Sequence, residues 1–258
     1  VGLVHASGTA EGSLELRLGR GPALPFLAAE ASVGRFDVAA ARQFLPAGRL
    51  KPTTFLWLDE AFEAGVVTAG RFSYRGPVRR FPFRGGEGEM RASADLRDVR
   101  LNYLPDFAPL EGGVGTVEFH NAATRAELSA GSVAGLRLGS ARFAIADYKD
   151  TEFEVEAQGS GDLGRALAFV QASPLGPQLG EQFMGLSGQG ATDFVFDLRY
   201  PTRRPEARDW SVRAGLKSAT LRWPLLRAPL TRLAGEVEIG ERAIRTDELR
   251  GSYLDGPF

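Results

Sequence analysis

The chain has 258 residues, 43% of them apolar and 24% charged, with a net charge of −1. That length allows one large domain or two small ones with an ample core, and the near-zero charge excludes a strong field toward nucleic acid or anionic headgroups. There is no Cys, which excludes disulfides and thiolate chemistry, and no run of about 18 apolar residues that would cross a bilayer as a helix.

The chain opens on VGLVHASGTAEGSLELRLG and stops at RGSYLDGPF, both strand-like and with no secretory signal pattern. The expectation is an excerpt of a longer protein. Two helical patterns come next. DVAAARQFLP, Asp37 to Pro46, has an Asp at the N-cap position and a Pro stop. KPTTFLWLDEAFEAG, Lys51 to Gly65, has Pro52 in its first turn, Phe55, Leu58 and Phe62 on one face, and Gly65 as its C-cap. YRGPVRRFPFRGG is basic and aromatic, a mixture that single-stranded nucleic acid would accept. With no net positive charge, an edge strand closed by a Pro turn is the better expectation.

Period-2 alternation then dominates. Met90, Ala92, Ala94 and Leu96 share one parity; Val99, Leu101 and Tyr103 continue the run. Val117 and Phe119, then Phe153, Val155 and Ala157, then Phe194, Phe196, Leu198 and Tyr200 repeat the pattern, as do Val237 and Ile239. Such alternation predicts antiparallel strands with one dry face and one wet face. RGGEG, EGGVG and LSGQG are expected to be the corners between them.

Gly159, Gly161 and Gly164 form a GxGxxG between a strand-like and a helix-like run. A dinucleotide site would need that strand in a parallel sheet, apolar on both faces. Glu152, Glu154 and Glu156 alternate with the apolar residues instead, so the glycines are read as a sharp turn from strand to helix. The following segment predicts two short helices, Leu163 to Gln171 and about Pro177 to Met184, separated by Pro174 and Pro177. Leu163, Leu167 and Val170 share the apolar side of the first.

The chain also repeats. Val99–Ser132 overlays Ala219–Ser252 at a shift of 120 without a gap, and about a third of the window is identical. GEGEMRASADL and GQGATDFVFDL, preceding the two copies, are alike, with Pro201–Asp209 as a linker inserted in the second. Repetition predicts a β structure that lengthens by adding similar units. The division is 1–85, N-terminal strands with two short helices; 86–187, a first unit with a helical crossover; and 188–258, a truncated second unit.

Little here suggests catalysis. His5 and His120 are the only imidazoles and lack partners at metal-ligand spacing, so neither a metal nor a cofactor is expected. No GxSxG elbow occurs. Glu87/Glu89 and Glu152/Glu154/Glu156 fall on the wet parity and read as a solvated face rather than a glycosidase pair.

Several motifs resemble a known family. They are the WL–xx–AF–xx–G run (Trp57, Leu58, Ala61, Phe62, Gly65), the RGP–xxx–FPF turn (Arg75 to Phe83), the V–x–L–x–Y strand (Val99, Leu101, Tyr103) and the FV–xx–SPLG crossover (Phe169 to Gly176). Over about residues 36 to 200 the chain resembles the central periplasmic region of YhdP-type AsmA-like proteins of Gram-negative bacteria. One departure is Asp106-Phe107, where the family often has Trp-Pro.

The resemblance implies a mainly β fold. It would be a long curved antiparallel sheet forming a repeating β-groove, with a few short helices on the concave side. It implies non-enzymatic conduction or holding of phospholipids between the inner and outer membranes, in support of the outer-membrane barrier. The implied partners are phospholipid acyl chains, the inner membrane through an anchor outside this excerpt, and the outer membrane or its proteins; nucleic acid is not among them. The implied location is the periplasm. The residues expected to contact lipid are Met90, Leu101, Val117, Phe119, Phe153, Val155, Phe194, Phe196 and Leu198. The alternative is a non-catalytic structural or protein-interaction scaffold with a closed core, and a third reading is a carbohydrate-active β domain.

Overall fold

A computed structural model describes residues 2–5, 8–18, 25–38, 60–174, 176–179, 183, 185–240, 243–246 and 248–258. Sixteen strands form one antiparallel sheet: β1 (Gly2–His5), β2 (Gly8–Arg17), β3 (Phe26–Val33), β4 (Phe36–Asp37), β5 (Phe62–Pro77), β6 (Glu89–Leu101), β7 (Leu110–His120), β8 (Ala123–Val133), β9 (Leu136–Ile145), β10 (Glu152–Asp162), β11 (Ser187–Pro201), β12 (Asp209–Arg222), β13 (Leu230–Gly240), β14 (Ile244–Arg245), β15 (Arg250–Tyr253) and β16 (Gly256–Pro257). Neighbours in sequence are neighbours in the sheet, except that the two-residue β4 and β14 pair only at the side of β5 and β13. The sheet is a long, open, curved meander. Among the described residues one α-helix of ten residues, α1 (Leu163–Ala172), interrupts it.

Strand pairing confirms the repeat and extends it. β6 pairs β7 through Ala92↔Phe119, Leu96↔Gly115, Val99↔Gly113 and Leu101↔Leu110. Adding 120 to each number gives pairs of β12 with β13: Val212↔Ile239, Leu216↔Gly235, Ala219↔Leu233 and Leu221↔Leu230. The next strands obey the same shift. Glu111↔Ser132 and Val114↔Ala130 become Thr231↔Ser252 and Ala234↔Arg250. Val133↔Leu136 becomes Tyr253↔Gly256, and the left-handed turn at Ala134 and Gly135 becomes one at Leu254 and Asp255.

This corrects one expected alignment. The counterpart of GEGEMRASADL, in β6, lies in β12, so GQGATDFVFDL, in β11, is not its equivalent. Pro201–Asp209 is the hairpin turn between β11 and β12, not an insertion between copies.

The strands also carry bulges that the alternation conceals. Along β6 the dry parity changes from even (Met90 to Leu96) to odd (Val99, Leu101), because the register shifts between Leu96 and Val99 and Asp98 takes φ 53°. β12 does the same between Leu216 and Ala219, with Ser218 at φ 55°. An extra residue on one strand returns the next side chain to the original face. EGGVG and LSGQG, expected as corners, therefore lie inside β7 and at the start of β11. Gly112, at φ 60°, sits where β7 shifts register against β8, and Gly190, at φ 118°, where β11 shifts against β12. RGGEG is a turn, as expected. The segment ending in Arg75-Gly76-Pro77 is no edge strand: β5 lies between β3 and β6, with Pro77 as its last residue. A terminal Pro costs the ladder little.

The helix at Leu163 matches expectation closely, extended by one residue. The second is a 3-10 turn at Gly176–Leu179, with Phe183 helical beyond it. Phe55 and Leu58 lie outside the described residues, as do most of Asp37–Pro46. Gly65 caps no helix, because Glu60 and Ala61 are helical but β5 begins at Phe62.

Packing concentrates at one place. Leu163 and Leu167 of α1 join Phe183, Leu216, Ala219 and Leu233 in a buried cluster, with Val170 against it. Among the described residues no second sheet covers this one.

Candidate functional site: the apolar face

Residues directly opposite one another on antiparallel strands point to the same face. The pairing can therefore be followed across the sheet. Ala10, Val33, Gly70, Ala94, Val117, Ala126, Phe143, Val155, Leu198 and Trp210 form one unbroken row over ten strands. At about 4.8 Å per step the row runs roughly 43 Å, and none of its residues carries a charge. Parallel to it run Phe72–Ala92–Phe119–Thr124–Ile145–Phe153–Tyr200 on one side and Leu96–Gly115–Leu128–Ala141–Ala157–Phe196–Val212–Ile239 on the other.

All nine expected contact residues lie on this face. Val117, Val155 and Leu198 share the first row, Phe119 and Phe153 the second, and Phe196 the third. Phe194 is one row further, opposite Gly159, where an added Cβ would come within 2.4 Å of its ring. Met90 lies beyond the Phe119 row, opposite Tyr74. Leu101 rejoins the face past the β6 bulge, opposite Leu110. None of the nine is fully buried, and Phe119 is 37% exposed. Tyr200, read on the same parity as Leu198, belongs with them, as do Phe143 and Leu128, which were not anticipated. The parity change in β9, from Leu136 and Leu138 to Ala141 and Phe143, hides Phe143; its signal is Gly139-Ser140 inside an otherwise alternating run. The rings of Phe143, Phe153 and Tyr200 stand in series at 5.9 and 6.4 Å.

The other face is charged. Arg142 lies between Glu127 and Glu156 on the flanking strands, at 3.8 and 3.6 Å. Arg213 faces Asp197 at 3.7 Å, and Arg199 grips Glu152 with two hydrogen bonds of 2.6 and 3.2 Å. Exposed pairs of this kind add little to stability. Their consequence is that the charged groups lie on this side of the sheet and are kept off the other.

The rims differ. At one strand end, Arg84 from the β5–β6 turn donates to Asp147 beyond β9 at 2.8 and 2.5 Å. Those bonds, with the Lys149 backbone N–H, hold the Asp147 carboxyl down at about 2. Tyr74, Phe81 and Phe83 cluster beside this turn, with centroids 5.3 to 6.3 Å apart. At the other end, Tyr103, Phe107 of the β6–β7 turn and Phe169 of α1 form a chain of rings at 6.0 and 6.2 Å. Burial pushes the Tyr103 phenol up to about 12. Phe107, at the departure from Trp-Pro, thus packs the turn against the helix.

The GxGxxG belongs to this rim. β10 is antiparallel to both β9 and β11, so no βαβ unit exists there. Asp162 caps α1, accepting from Gly164 and Arg165 N–H, and from Gly190 N–H at 2.9 Å. The Gly190 bond and its companions hold the Asp162 carboxyl below its usual range. A carboxylate thus fills the position where a Rossmann helix receives pyrophosphate.

A single open meander with one uncharged and one charged face defines an amphipathic single-sheet protein. A family model described as YhdP protein matches residues 4–258. The chain belongs to the YhdP family. No curated protein and no solved structure matches it.

Proposed function

We propose that the apolar face carries phospholipid acyl chains, and that the protein conducts or holds phospholipids between the inner and outer membranes. The observation that carries this reading is the uncharged row from Ala10 to Trp210. It crosses ten strands without a polar interruption, and apart from the buried Trp210 at its end its residues are at most partly covered, Phe143 among them. A face that packed a second sheet would be dry and closed; this one is left to solvent or to an apolar ligand. Membership of the YhdP family points the same way.

On this reading the chemistry is binding without catalysis. Dispersion and apolar burial hold the alkyl chains. The repeat at a shift of 120 would let a groove of this kind lengthen by whole units. The protein would work in the periplasm, tied to the inner membrane by a segment other than these residues, with the outer membrane or its proteins at the far end. Native mass spectrometry of the purified chain tests the proposal. Co-purified phospholipid, lost on replacing Phe196 by Asp, supports it; a chain that never carries lipid at micromolar protein in phospholipid-containing detergent counts against it.

A further inference from the structure

A recess of about 450 Å³ opens at the rim between α1 and the β6–β7 turn. Its lining is unusual for this face. Phe107, Ala168, Phe169 and Ala172 supply apolar walls, and one cation and one anion, Arg165 and Asp106, stand on the same lining. Everywhere else along the apolar rows charge is excluded.

α1 explains the arrangement. Leu163, Leu167 and Val170 face the buried cluster, which leaves Arg165, Ala168, Phe169 and Ala172 as a second stripe at i, i+3, i+4 and i+7. That stripe faces Phe107 across the recess. Asp106 is held there by a left-handed backbone, φ 62°, in a turn anchored by the Tyr103–Phe107–Phe169 rings. Among the described residues neither the Arg165 guanidinium nor the Asp106 carboxylate forms an ion pair, whereas many other Arg residues do. The nearest acid in sequence, Asp162, feels the Arg165 charge but gives its oxygens to three backbone N–H groups rather than to the guanidinium. Two opposite charges, neither in an ion pair and both exposed at the lip of an apolar recess, complement a ligand with an anionic and a cationic group on an apolar body.

We propose that this recess is a headgroup site for a zwitterionic phospholipid. The phosphate lies against Arg165, the ammonium against Asp106, and the acyl chains run past Phe107 and Phe169 onto the apolar rows. The inference rests on the lipid-carrying reading above and adds to it a place of recognition. A rim site that holds a headgroup while the floor holds only chains also sets where a lipid enters or leaves the face.

The test compares three lipids with identical dioleoyl chains bound to the 258-residue chain: phosphatidylethanolamine, phosphatidylglycerol and diacylglycerol. Their relative affinities are read by native mass spectrometry from mixed micelles. For the unaltered chain we expect phosphatidylethanolamine to bind best. Arg165→Gln should weaken both phospholipids by roughly five- to tenfold, the loss of one partly exposed charge-assisted contact, and leave diacylglycerol unchanged. Asp106→Asn should weaken phosphatidylethanolamine alone. Circular dichroism and denaturation midpoints confirm that both variants are folded; Arg165→Lys, which keeps the charge, should restore most phosphatidylglycerol binding. If all three lipids bind and neither variant alters their ranking, the headgroup site is wrong and the lipid-carrying face stands. If no lipid binds the unaltered chain, both fall.

Discussion

Gly190 and Ala219 touch backbone to backbone. A Cβ on Gly190 would lie 2.8 Å from the Ala219 Cα, and Gly190 has φ +118°. Ala219 itself is fully buried, at 0% exposure. Gly65, on β5, stands in the same relation to Val99, the residue that matches Ala219 at the shift of 120: a Cβ there would lie 3.0 Å from the Val99 Cα, at φ +138°. Both contacts sit beside the bulge that restores the dry parity, so the close approach belongs to the repeating unit.

We therefore expect Gly190→Ala and Gly65→Ala each to destabilise the chain by roughly 2–4 kcal/mol, from the unfavourable φ and the forced separation of strands. Urea denaturation midpoints measure this. A midpoint unchanged in either variant would show that the bulge does not need the glycine.

The helix supplies a second test. Leu167 is 8% exposed and belongs to the one buried cluster that joins α1 to β12 and β13. Leu167→Ala should cost about 2–5 kcal/mol, the range for a large-to-small change in a packed site. Leu14→Ala, at a position 72% exposed on the same face of the sheet, should cost far less. Equal losses would mean that the sheet face is closed after all.

A third expectation concerns pH. Asp147 is held at about 2 by the Arg84 hydrogen bonds and the Lys149 N–H. A carboxyl depressed in the folded chain contributes stability that is fully present above its ordinary value, about 4. That contribution is lost as pH falls through the folded value. The thermal midpoint of Asp147→Asn should thus lie below that of the unaltered chain at pH 6, and the gap should close between pH 4 and pH 2. A gap independent of pH would assign the effect of the substitution to something other than the Arg84 pair.

Much of the site was legible because the period of a strand is short and unambiguous. Phe153, Val155, Phe194, Phe196 and Leu198 lie in uninterrupted alternation, and the pairing puts them all on one face. The ungapped shift of 120 also survived, because the three strand pairings from β6 to β9 recur at the same spacing from β12 to β16. Glycine was misread for a physical reason. In sequence a Gly cluster signals a corner, yet Gly112, Gly113 and Gly190 sit within strands, where the missing side chain permits a bulge or a close approach. Each bulge reverses parity, so Phe143 escaped notice while Val99 and Leu101 were joined to Leu96 without the reversal being seen. The rim recess had no signature in sequence at all. Asp106 and Arg165 are far apart along the chain, and only the packing of α1 beside the β6–β7 turn brings them to one lining.

Replacing Phe196 by Asp distinguishes an open face from a core. Phe196 stands between Ala157 and Val212 and is only half-buried. On an open face the new carboxylate stays hydrated, so the chain should still fold, with its circular dichroism preserved. Alkyl chains passing it would have to strip that hydration, so lipid carriage should be lost. An unfolded variant would indicate a closed interior at this position.

The most direct measurement is photo-crosslinking in cells at positions that differ only in the face they occupy. Val155 and Phe196 point to the apolar side; Glu154 and Asp197, one residue away, point to the charged side. A photoreactive residue at Val155 or Phe196 should capture phospholipid, and the same residue at Glu154 or Asp197 should not. Adducts at both parities alike, or at neither, would contradict a lipid-carrying face.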